Sequence, residues 1–423
     1  RSTLFPYTTL FRSSYVPELK EMLEGDDENI ASMLVYAEEL EDTNRQVGIH
    51  ACGVIIGADD LTNVAPVCTV KDKDTKEDVV VTQYDGHVIE TVGLIKMDFL
   101  GLKTLTPIKD ALRNIKKTRG IEIDIDHIPI DDKLTYDLYC SGHTIGTFQF
   151  ESPGMQKYLR ELQPSVFGDL IVMNALYRPG PMDNIPDFIA RKQGRQEIKY
   201  DFECMEKYLK DTYGICVYQE QVMLLSRELA DFTRGESDSL RKAMGKKQLA
   251  KMEELYEKFM KQGVAKLTKT ESLPEEEVKK RLEKIWEEWK KFASYAFNKS
   301  HAACYSWVSY QTAYLKAHYP AEFMAAVLNN ELGDIKQVNF MTEECKRMKI
   351  AVLGPDVNES EYKFSVNEKG EIRYGMGGIK NVGEAAVAGI VAEREANGKF
   401  KDFADFVMRV ADKGLNVRAL ESI

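Results

Sequence analysis

Hydrophobic and polar positions divide this chain into an early part that contains strands and a longer part that is mainly helical. Residues 14–44 carry apolar side chains at helical spacing. Within residues 47–98, short β-branched runs bounded by Gly, Asp and Asn predict strands at residues 53–56, 79–82 and 91–95. Helical spacing returns at residues 104–118, and the acidic pair at residues 131–132 predicts a turn.

Residues 152–330 are mostly helical in pattern, and the clearest helix is predicted at residues 274–296. Pro274 suits its first turn, and the three glutamates that follow suit the positive end of a helix dipole. A stripe of apolar positions then predicts its core face: Val278, Leu282, Ile285, Trp289, Phe292 and Ala296. Residues 350–374 predict a connector with strands, and residues 376–397 predict a small helical unit. The fold class is therefore predicted to be α+β and multidomain.

Length and composition narrow the class of protein. A chain of 423 residues is long enough for two to four domains, and 43% hydrophobic residues are typical of a globular protein. Seven scattered cysteines without a CxxC pair favour a reducing compartment, so we expect a cytoplasmic protein. The sequence has no run of about 18 or more apolar residues, so we expect no membrane span. The net charge is −11, yet residues 241–251 hold five cations and no acid. That run predicts either a basic face for an anionic polymer or a solvated helix face.

The segment FNKSHAACY at residues 297–305, continued by SYQT at residues 309–312, has the densest mixture of functional groups in the chain. It combines an amide, a cation, a hydroxyl, an imidazole and phenols. Polar groups this dense face a ligand, bond to one another or lie in solvent. A phosphate-bearing ligand would use all of them, so we predict a phosphate site here.

A second segment, KMDFLGL at residues 96–102, predicts a strand that ends in a carboxylate. Asp98 is then placed to hold Mg²⁺, which prefers hard oxygen ligands. Lys96 lies two residues earlier and so on the same face of the strand, where it would meet a phosphate beside the metal. The alternative is that Asp98 caps the helix that follows.

Two turns also suit phosphate groups. Prolines in YRPGP, residues 177–181, fix the backbone around Arg178, whose guanidinium suits bidentate phosphate contact. The run GGIKNVGE at residues 377–384 predicts a glycine hairpin between two short helices, with backbone N–H groups exposed at a helix start. The alternatives are an ordinary loop and a plain helical hairpin.

Together these segments resemble the C-family of replicative DNA polymerases, the family of the bacterial DNA polymerase III α subunit. The similar runs follow one another in that family's order over nearly everything after Val47: QVGIHACGVII, GLIKMDFLGLKTL, TFQFES, ALYRPGPM, YGICVYQEQVM, LRKAMGKK, FNKSHAACYSWVSYQTAYLKAHYPAEFMAA and GGIKNVGEAAV. By contrast, residues 1–13 read like the translation of a sequencing adapter. We therefore expect the natural sequence to begin near Ser14 and to be truncated at its N-terminus, and at its C-terminus as well.

The resemblance implies a domain order. Residues 14–45 would end a thumb, and residues 46–103 would form the C-terminal part of a palm related to the polymerase β-like nucleotidyltransferases. Residues 104–350 would form large helical fingers, and residues 351–423 would begin a helix–hairpin–helix and clamp-binding domain. Primer–template DNA, deoxynucleoside triphosphates, the sliding clamp and other replisome subunits would be the partners.

The resemblance also implies roles for single residues in nucleotidyl transfer with two Mg²⁺ ions. Asp98 would be a catalytic metal ligand, and Lys96 would support it. The nucleotide- and DNA-binding residues would be Arg178, Arg241, Lys242, Lys246, Lys247, Asn298, Lys299, Ser300, His301, Tyr305, Lys380 and Gly383. The family's paired-Asp motif is absent, and one carboxylate cannot hold two ions, so we expect this chain alone to be inactive. The alternatives are a non-catalytic DNA-binding or clamp-associated accessory protein and, more distantly, a metabolic nucleotidyltransferase.

Overall fold

The contacts of the chain divide it into two units, Arg1–Leu102 and Lys103–Ile423. The structure is a computed structural model that describes residues 17–25, 27–40, 43, 47–50, 52–72, 76–86, 88–245, 249–292, 297–411 and 415–423. The expected adapter-like residues 1–13 and the expected start at Ser14 lie outside the described residues.

The first unit combines two helices with two antiparallel strand pairs. Its elements are α1 (Pro17–Leu23), α2 (Glu28–Leu40), β1 (Gly53–Ile56), β2 (Val67–Lys71), β3 (Asp78–Thr82) and β4 (Ile95–Asp98). β1 pairs with β4 and β2 pairs with β3. Among the described residues of this unit, the buried core is small and consists of Ala65, Ile89 and Leu94, with Ile55 and Leu61 packed against it. The helical spacing of residues 14–44 and the strands at residues 53–56 and 79–82 are confirmed in the described residues.

The predicted strand at residues 91–95 is wrong in its first four positions. Ile89–Val92 forms a 3-10 turn, which is anchored by the fully buried side chain of Ile89. Gly93 ends this turn at φ 85°, a left-handed conformation that favours glycine. The strand therefore starts only at Ile95, and it ends at Asp98 as expected.

The second unit is mainly helical. Its helices are α3 (Leu105–Arg119), α4 (Lys133–Ser141), α5 (Pro153–Leu162), α6 (Phe167–Leu176), α7 (Ile185–Lys192), α8 (Glu206–Leu209), α9 (Gln219–Ala230), α10 (Arg234–Gly245), α11 (Leu249–Thr270), α12 (Glu275–Phe292), α13 (Lys299–His318), α14 (Pro320–Asn330), α15 (Ile335–Arg347), α16 (Glu384–Asn397), α17 (Phe403–Val410) and α18 (Val417–Ser422). Three two-residue strands form one sheet in the order β5-β7-β6: β5 (Val352–Leu353), β6 (Ser365–Val366) and β7 (Ile372–Arg373). The α+β, multidomain prediction is confirmed.

In the part of the second unit that the structure describes, four buried clusters stabilise the fold. The first joins α4–α7 to α13, and the second joins α8–α12. The third joins α3, α14 and α15 to the small sheet, and the fourth joins α16–α18. α13 contributes to both the first and the third clusters, which fixes this helix along its length.

Local sequence explains several helix boundaries. α12 begins directly after Pro274, and Val278, Leu282, Ile285 and Trp289 are buried as predicted. The last predicted turn of this helix, residues 293–296, lies outside the described residues. The turn predicted at residues 131–132 supplies the cap of α4, because the Asp132 carboxylate accepts from Thr135 N at 2.8 Å.

The glycine-rich run after the small sheet lies between two short helical elements, as predicted, but the first of them is only a 3-10 turn. A single 3-10 turn, Met376–Gly378, precedes α16. Gly375, just before this turn, approaches another backbone segment so closely that an added Cβ would lie 2.5 Å from the carbonyl carbon of Lys363. The glycine therefore permits the backbone packing that fixes the turn. Among the described residues, no helix is long and apolar enough to cross a membrane.

Candidate functional site

The YRPGP turn forms a rigid corner after α6. Arg178 N donates to Leu176 O at 2.7 Å, and Met182 N donates to Arg178 O at 3.2 Å. Gly180 adopts φ 103°, which a residue with a Cβ would adopt only with strain. The backbone around Arg178 is therefore fixed, as the sequence predicts.

Two side chains, one amide and one carboxylate, accept hydrogen bonds from the backbone N–H groups at the start of α13. Asn298 is its N-cap residue, and its Oδ1 accepts from His301 N at 2.8 Å. The Glu220 carboxylate, in the first turn of α9, accepts from Lys299 N at 3.0 Å and from Asn298 Nδ2 at 2.8 Å. The backbone also contributes, because Gln219 N donates to Phe297 O at 3.0 Å. Glu220 thus anchors one helix start to another, which is a structural role.

A row of rings extends from this helix start. His301 and Tyr305 lie four residues apart and so share one face of α13, and Phe297 lies just before the N-cap residue Asn298. The ring centroids of Phe297 and His301 are 5.3 Å apart, and those of His301 and Tyr305 are 4.1 Å apart. Phe148 extends the row, with its centroid 5.3 Å from that of Tyr305.

The Arg178 guanidinium lies on this row of rings. Its central carbon is 3.6 Å from the Phe297 centroid, the distance of a cation–π contact. Burial lowers the pKa of Arg178, and the nearby Tyr305 opposes that shift. No carboxylate among the described residues forms an ion pair with Arg178. We call Arg178, Phe297, Lys299, His301 and Tyr305 the cation–ring surface.

Further polar groups extend the cation–ring surface. Lys299 is exposed, and its Nζ lies 5.4 Å from the centroid of Tyr218. Ser300 and His301 are exposed on the first turns of α13. The Glu220 carboxylate bonds the backbone N–H of Lys299, but among the described residues no carboxylate forms an ion pair with the Lys299 ammonium or the Arg178 guanidinium. Cations, an imidazole and hydroxyl groups next to a helix start suit an anionic ligand with several oxygens.

The second half of the polar motif has a different role from the one we expected. Ser309 and Thr312 are fully buried; the hydroxyl groups of Tyr139 and Ser309 lie 2.8 Å apart, and Phe148 N donates to Thr312 Oγ1 at 3.1 Å. Tyr310 donates to Pro129 O at 2.8 Å, and burial raises its pKa to about 12. The prediction that a phosphate-bearing ligand uses all of these groups is therefore wrong for residues 309–312, because they bond within the core.

Two cations of the basic run, both in α10, form ion pairs with one acidic residue of the same helix. Arg241 Nη2 lies 2.9 Å from Asp238 Oδ1, and Lys242 Nζ lies 2.7 Å from Asp238 Oδ2. Hydrogen bonds from Lys242 and Arg241 lower the pKa of Asp238. This pairing is what a solvated helix face would show. Lys246 and Lys247 lie outside the described residues.

Lys380 and Gly383 lie at the exposed start of α16. Gly383 is the residue before its first turn, with extended backbone, and a Cβ there would meet nothing within 4 Å. Lys380 is exposed two residues before the buried Val382. The structure does not bring this pair together with the cation–ring surface: Val382, which lies between Lys380 and Gly383, packs in the cluster of α16–α18, whereas α13 contributes to the first and third clusters.

Asp98 and Lys96 lie in the first unit, at the end of β4. Lys96 Nζ is 3.0 Å from Asp98 Oδ1, on the same strand face. The alternative role of Asp98 as a helix cap is not adopted, because Thr104 occupies the N-cap position of α3. His50 and Cys52 lie beside Asp98, and the three form the one cluster in the described residues with ligand atoms close enough to share a metal ion.

Sequence reasoning missed two rings near Arg178 in the second unit and, separately, two neighbours of Asp98 in the first unit. The rings of Phe148 and Phe297 were not singled out, although the spacing of residues 297, 301 and 305 is that of neighbours on a helix. His50 and Cys52 were missed because their neighbour Asp98 is far away along the chain. Only the pairing of β1 with β4 brings them together.

The anchoring of α13 gives a first prediction. Replacing Glu220 by alanine removes the acceptor of two hydrogen bonds, so we expect the free energy of unfolding to fall by about 1 kcal/mol, as for loss of a helix cap. Chemical denaturation followed by circular dichroism measures it. The matched control is Glu161→Ala, whose partner Lys157 is exposed and 3.9 Å away, and which should change the free energy by only a few tenths. Equal losses in the two variants would contradict the anchoring role.

Comparison with known protein families covers most of the chain. The model of the bacterial DNA polymerase III alpha NTPase domain matches residues 7–101. The model of the bacterial DNA polymerase III alpha subunit finger domain matches residues 104–266, and a helix-hairpin-helix motif matches residues 349–423. Three matches thus follow one another along the chain.

Curated proteins show the same relationship. The DNA polymerase III subunit alpha of Thermus aquaticus is 44% identical over 413 residues, which is 96% of this chain and 32% of the relative. The protein of the same name from Chlamydia trachomatis serovar D is 45% identical over 96% of this chain and 32% of the relative. The one from Neisseria meningitidis serogroup B is 42% identical over 96% of this chain and 34% of the relative. The chain spans about a third of the length of the curated relatives it matches. It belongs to the family of bacterial DNA polymerase III α subunits.

Proposed function

We propose that this chain is part of a DNA-directed DNA polymerase of chromosomal replication, and that the cation–ring surface holds phosphate groups of a deoxynucleoside triphosphate or of primer–template DNA. One observation carries the second statement. The half-buried Arg178 guanidinium is fixed 3.6 Å from the Phe297 centroid, without a carboxylate partner among the described residues. A partly desolvated cation without an acid favours an anionic ligand.

The domain roles are part of the same proposal. Residues 14–45 would complete a thumb, residues 46–103 a palm, residues 104–350 the fingers, and residues 351–423 the start of the helix–hairpin–helix domain. The location of the finger-domain match, residues 104–266, supports the third assignment. In the whole protein, the sliding clamp and other replisome subunits would be partners.

The donor set around Asp98 does not fit a pair of Mg²⁺ ions. Asp98 supplies a carboxylate that is already bonded to Lys96, while His50 and Cys52 supply nitrogen and sulfur. Mg²⁺ prefers oxygen ligands, and a two-metal centre needs further carboxylates. We therefore propose that this chain alone does not catalyse nucleotidyl transfer, and that Asp98 serves in the active centre only together with other acidic residues.

The phosphate role is tested with Arg178→Met, which keeps an unbranched side chain against Phe297 and removes the charge. Charge-assisted hydrogen bonds contribute about 1.5–3 kcal/mol, so the affinity for a fluorescent deoxynucleoside triphosphate or for labelled primer–template should fall at least about tenfold. Fluorescence anisotropy at fixed salt measures both. Arg113→Met is the matched control, because Arg113 is exposed and pairs with Asp110 at 3.0 Å. Equal affinities of the two variants would overturn the assignment.

The same titrations separate the polymerase proposal from the accessory alternative. Polymerase fingers bind the triphosphate as well as DNA, whereas a DNA-binding accessory protein is indifferent to it. Tight DNA binding with no detectable triphosphate binding would therefore favour the accessory protein. Phosphate contacts also make the DNA affinity fall with salt, with a slope set by their number.

A further inference from the structure

The pairing of β1 with β4 brings together three groups of different donor chemistry. Gly53 lies opposite Asp98 in the register, and Phe99 N donates to Cys52 O at 2.9 Å. Ligand atoms of His50, Cys52 and Asp98 all lie within 4.8 Å of one another. Cys52 Sγ and His50 Nδ1 are 3.6 Å apart, a separation that two ligands of one tetrahedral ion would have.

The backbone around this cluster is fixed. His50 Nδ1 accepts from Cys52 N at 3.2 Å and from Gly53 N at 2.8 Å, which turns the imidazole back over the start of β1. Gly53 packs closely against this cluster, since a Cβ there would lie 2.9 Å from His50 Nδ1, 3.0 Å from Asp98 Oδ1 and 3.0 Å from Lys96 Cε. The strand thus positions the three groups so closely that any larger residue at position 53 would displace them.

We propose that His50, Cys52 and Asp98 bind a divalent transition-metal ion of the Zn²⁺ type, with water as the fourth ligand. Imidazole, thiolate and carboxylate are the ligands of Zn²⁺, whereas Mg²⁺ has no preference for nitrogen or sulfur. Binding releases the thiol proton of Cys52 to solvent. The ion displaces the Lys96 ammonium from Asp98 and takes the lone pair of His50 Nδ1, so the hydrogen bonds from Cys52 N and Gly53 N, which orient the imidazole in the free protein, break on binding.

One consequence rests on the proposed function. If Asp98 serves the active centre of the whole polymerase, an ion held by His50 and Cys52 withdraws this carboxylate from Mg²⁺ and inhibits nucleotidyl transfer. The binding itself does not depend on that role. Metal binding is measured on the full chain without DNA or nucleotide. A chain that does not bind the ion would therefore contradict the metal site alone, and a polymerase that the bound ion does not inhibit would contradict only the role of Asp98 in its active centre.

The test is a titration of the reduced full-length chain with Co²⁺, whose thiolate ligation gives a charge-transfer absorption, followed by competition with Zn²⁺. Cys52→Ser should abolish the absorption, and Asp98→Asn should weaken Zn²⁺ binding at least about a hundredfold, beyond the loss typical of an outer-shell partner. Cys68→Ser is the matched control, because Cys68 is a free, half-buried cysteine of the same unit outside the cluster. It should leave both signals unchanged.

Lys96→Met gives an effect in the opposite direction. Removal of the ammonium that holds Asp98 frees the carboxylate, so Zn²⁺ affinity should rise. Circular dichroism confirms that each variant is folded. A thiolate–Co²⁺ absorption that persists in Cys52→Ser, or a Zn²⁺ affinity that is unchanged in Asp98→Asn, would overturn the site.

Discussion

Replacing Glu344 by alanine is expected to lower the free energy of unfolding of the second unit by about 3–5 kcal/mol, the cost of leaving a buried charge without its partner. The side chains of Lys316 and Glu344 are 0% and 1% exposed, and Lys316 Nζ lies 2.6 Å from Glu344 Oε1. Lys316 also donates to His143 O and Ile145 O, and these two carbonyls do not neutralise its charge. The variant therefore leaves an ammonium group in the core at the end of α13.

The ionised state of Glu344 makes this loss depend on pH. Burial raises the pKa of Glu344, but hydrogen bonds and charge from Arg347 and Lys316 outweigh it, and the pKa lies below the ordinary value of 4.5. A carboxyl group with a lowered pKa stabilises the folded state above its ordinary pKa, and this contribution is lost as the pH falls through the folded value. The difference between wild type and variant should thus shrink in acid.

The neighbouring residue supplies the control for this experiment. Glu343 lies on the same helix, and its pair with Lys346 is exposed, so Glu343→Ala should cost less than about 1 kcal/mol. Urea denaturation at neutral pH compares the two variants. A second substitution, Lys316→Met, should recover part of the loss in Glu344→Ala by removing the stranded charge. A loss in Glu344→Ala no larger than that in Glu343→Ala would contradict the account.

This pair also shows where sequence reasoning stops. The apolar spacing of α12 and the strand that ends at Asp98 were predictable, because each depends on residues a few positions apart. Lys316 and Glu344 lie on different helices, and the sequence contains nothing to pair them. Charged residues are normally exposed, so their burial becomes visible only when α13 and α15 are placed together.

The candidate site also has some features that were predictable from local sequence and others that depend on tertiary packing. The turn around Arg178 and the polar start of α13 were predictable from local chemistry, since prolines, Gly180 and Asn298 act on their immediate neighbours. The sequence did not predict that the polar segment has an exposed first half, residues 297–305, and a buried second half, residues 309–312. Ser309 and Thr312 are polar, and only the packing of α13 against α4 and α6 decides that they bond within the core.

Replacing Phe259 by alanine is expected to destabilise the cluster of α8–α12 by about 3–5 kcal/mol, the range for deletion of a fully buried aromatic ring. Phe259 is 0% exposed, and its centroid lies 5.2 Å from those of both Trp286 and Trp289. The variant leaves a cavity lined by large rings, which relax only in part. Urea denaturation followed by tryptophan fluorescence reports this cluster, because Trp286 and Trp289 are two of the three tryptophans of the chain.

Phe340→Ala is the control for size, because Phe340 is 51% exposed and its loss should cost less than about 0.5 kcal/mol.

Triphosphate binding distinguishes a loss of stability from damage to the cation–ring surface. Phe259 does not belong to the cation–ring surface, so the folded Phe259→Ala protein, assayed at low temperature, should keep its affinity for the triphosphate. Glu220→Ala should weaken that affinity despite its small cost in stability, because Glu220 positions the start of α13. If the two variants lost affinity in proportion to stability, the anchoring of α13 would have no role in binding.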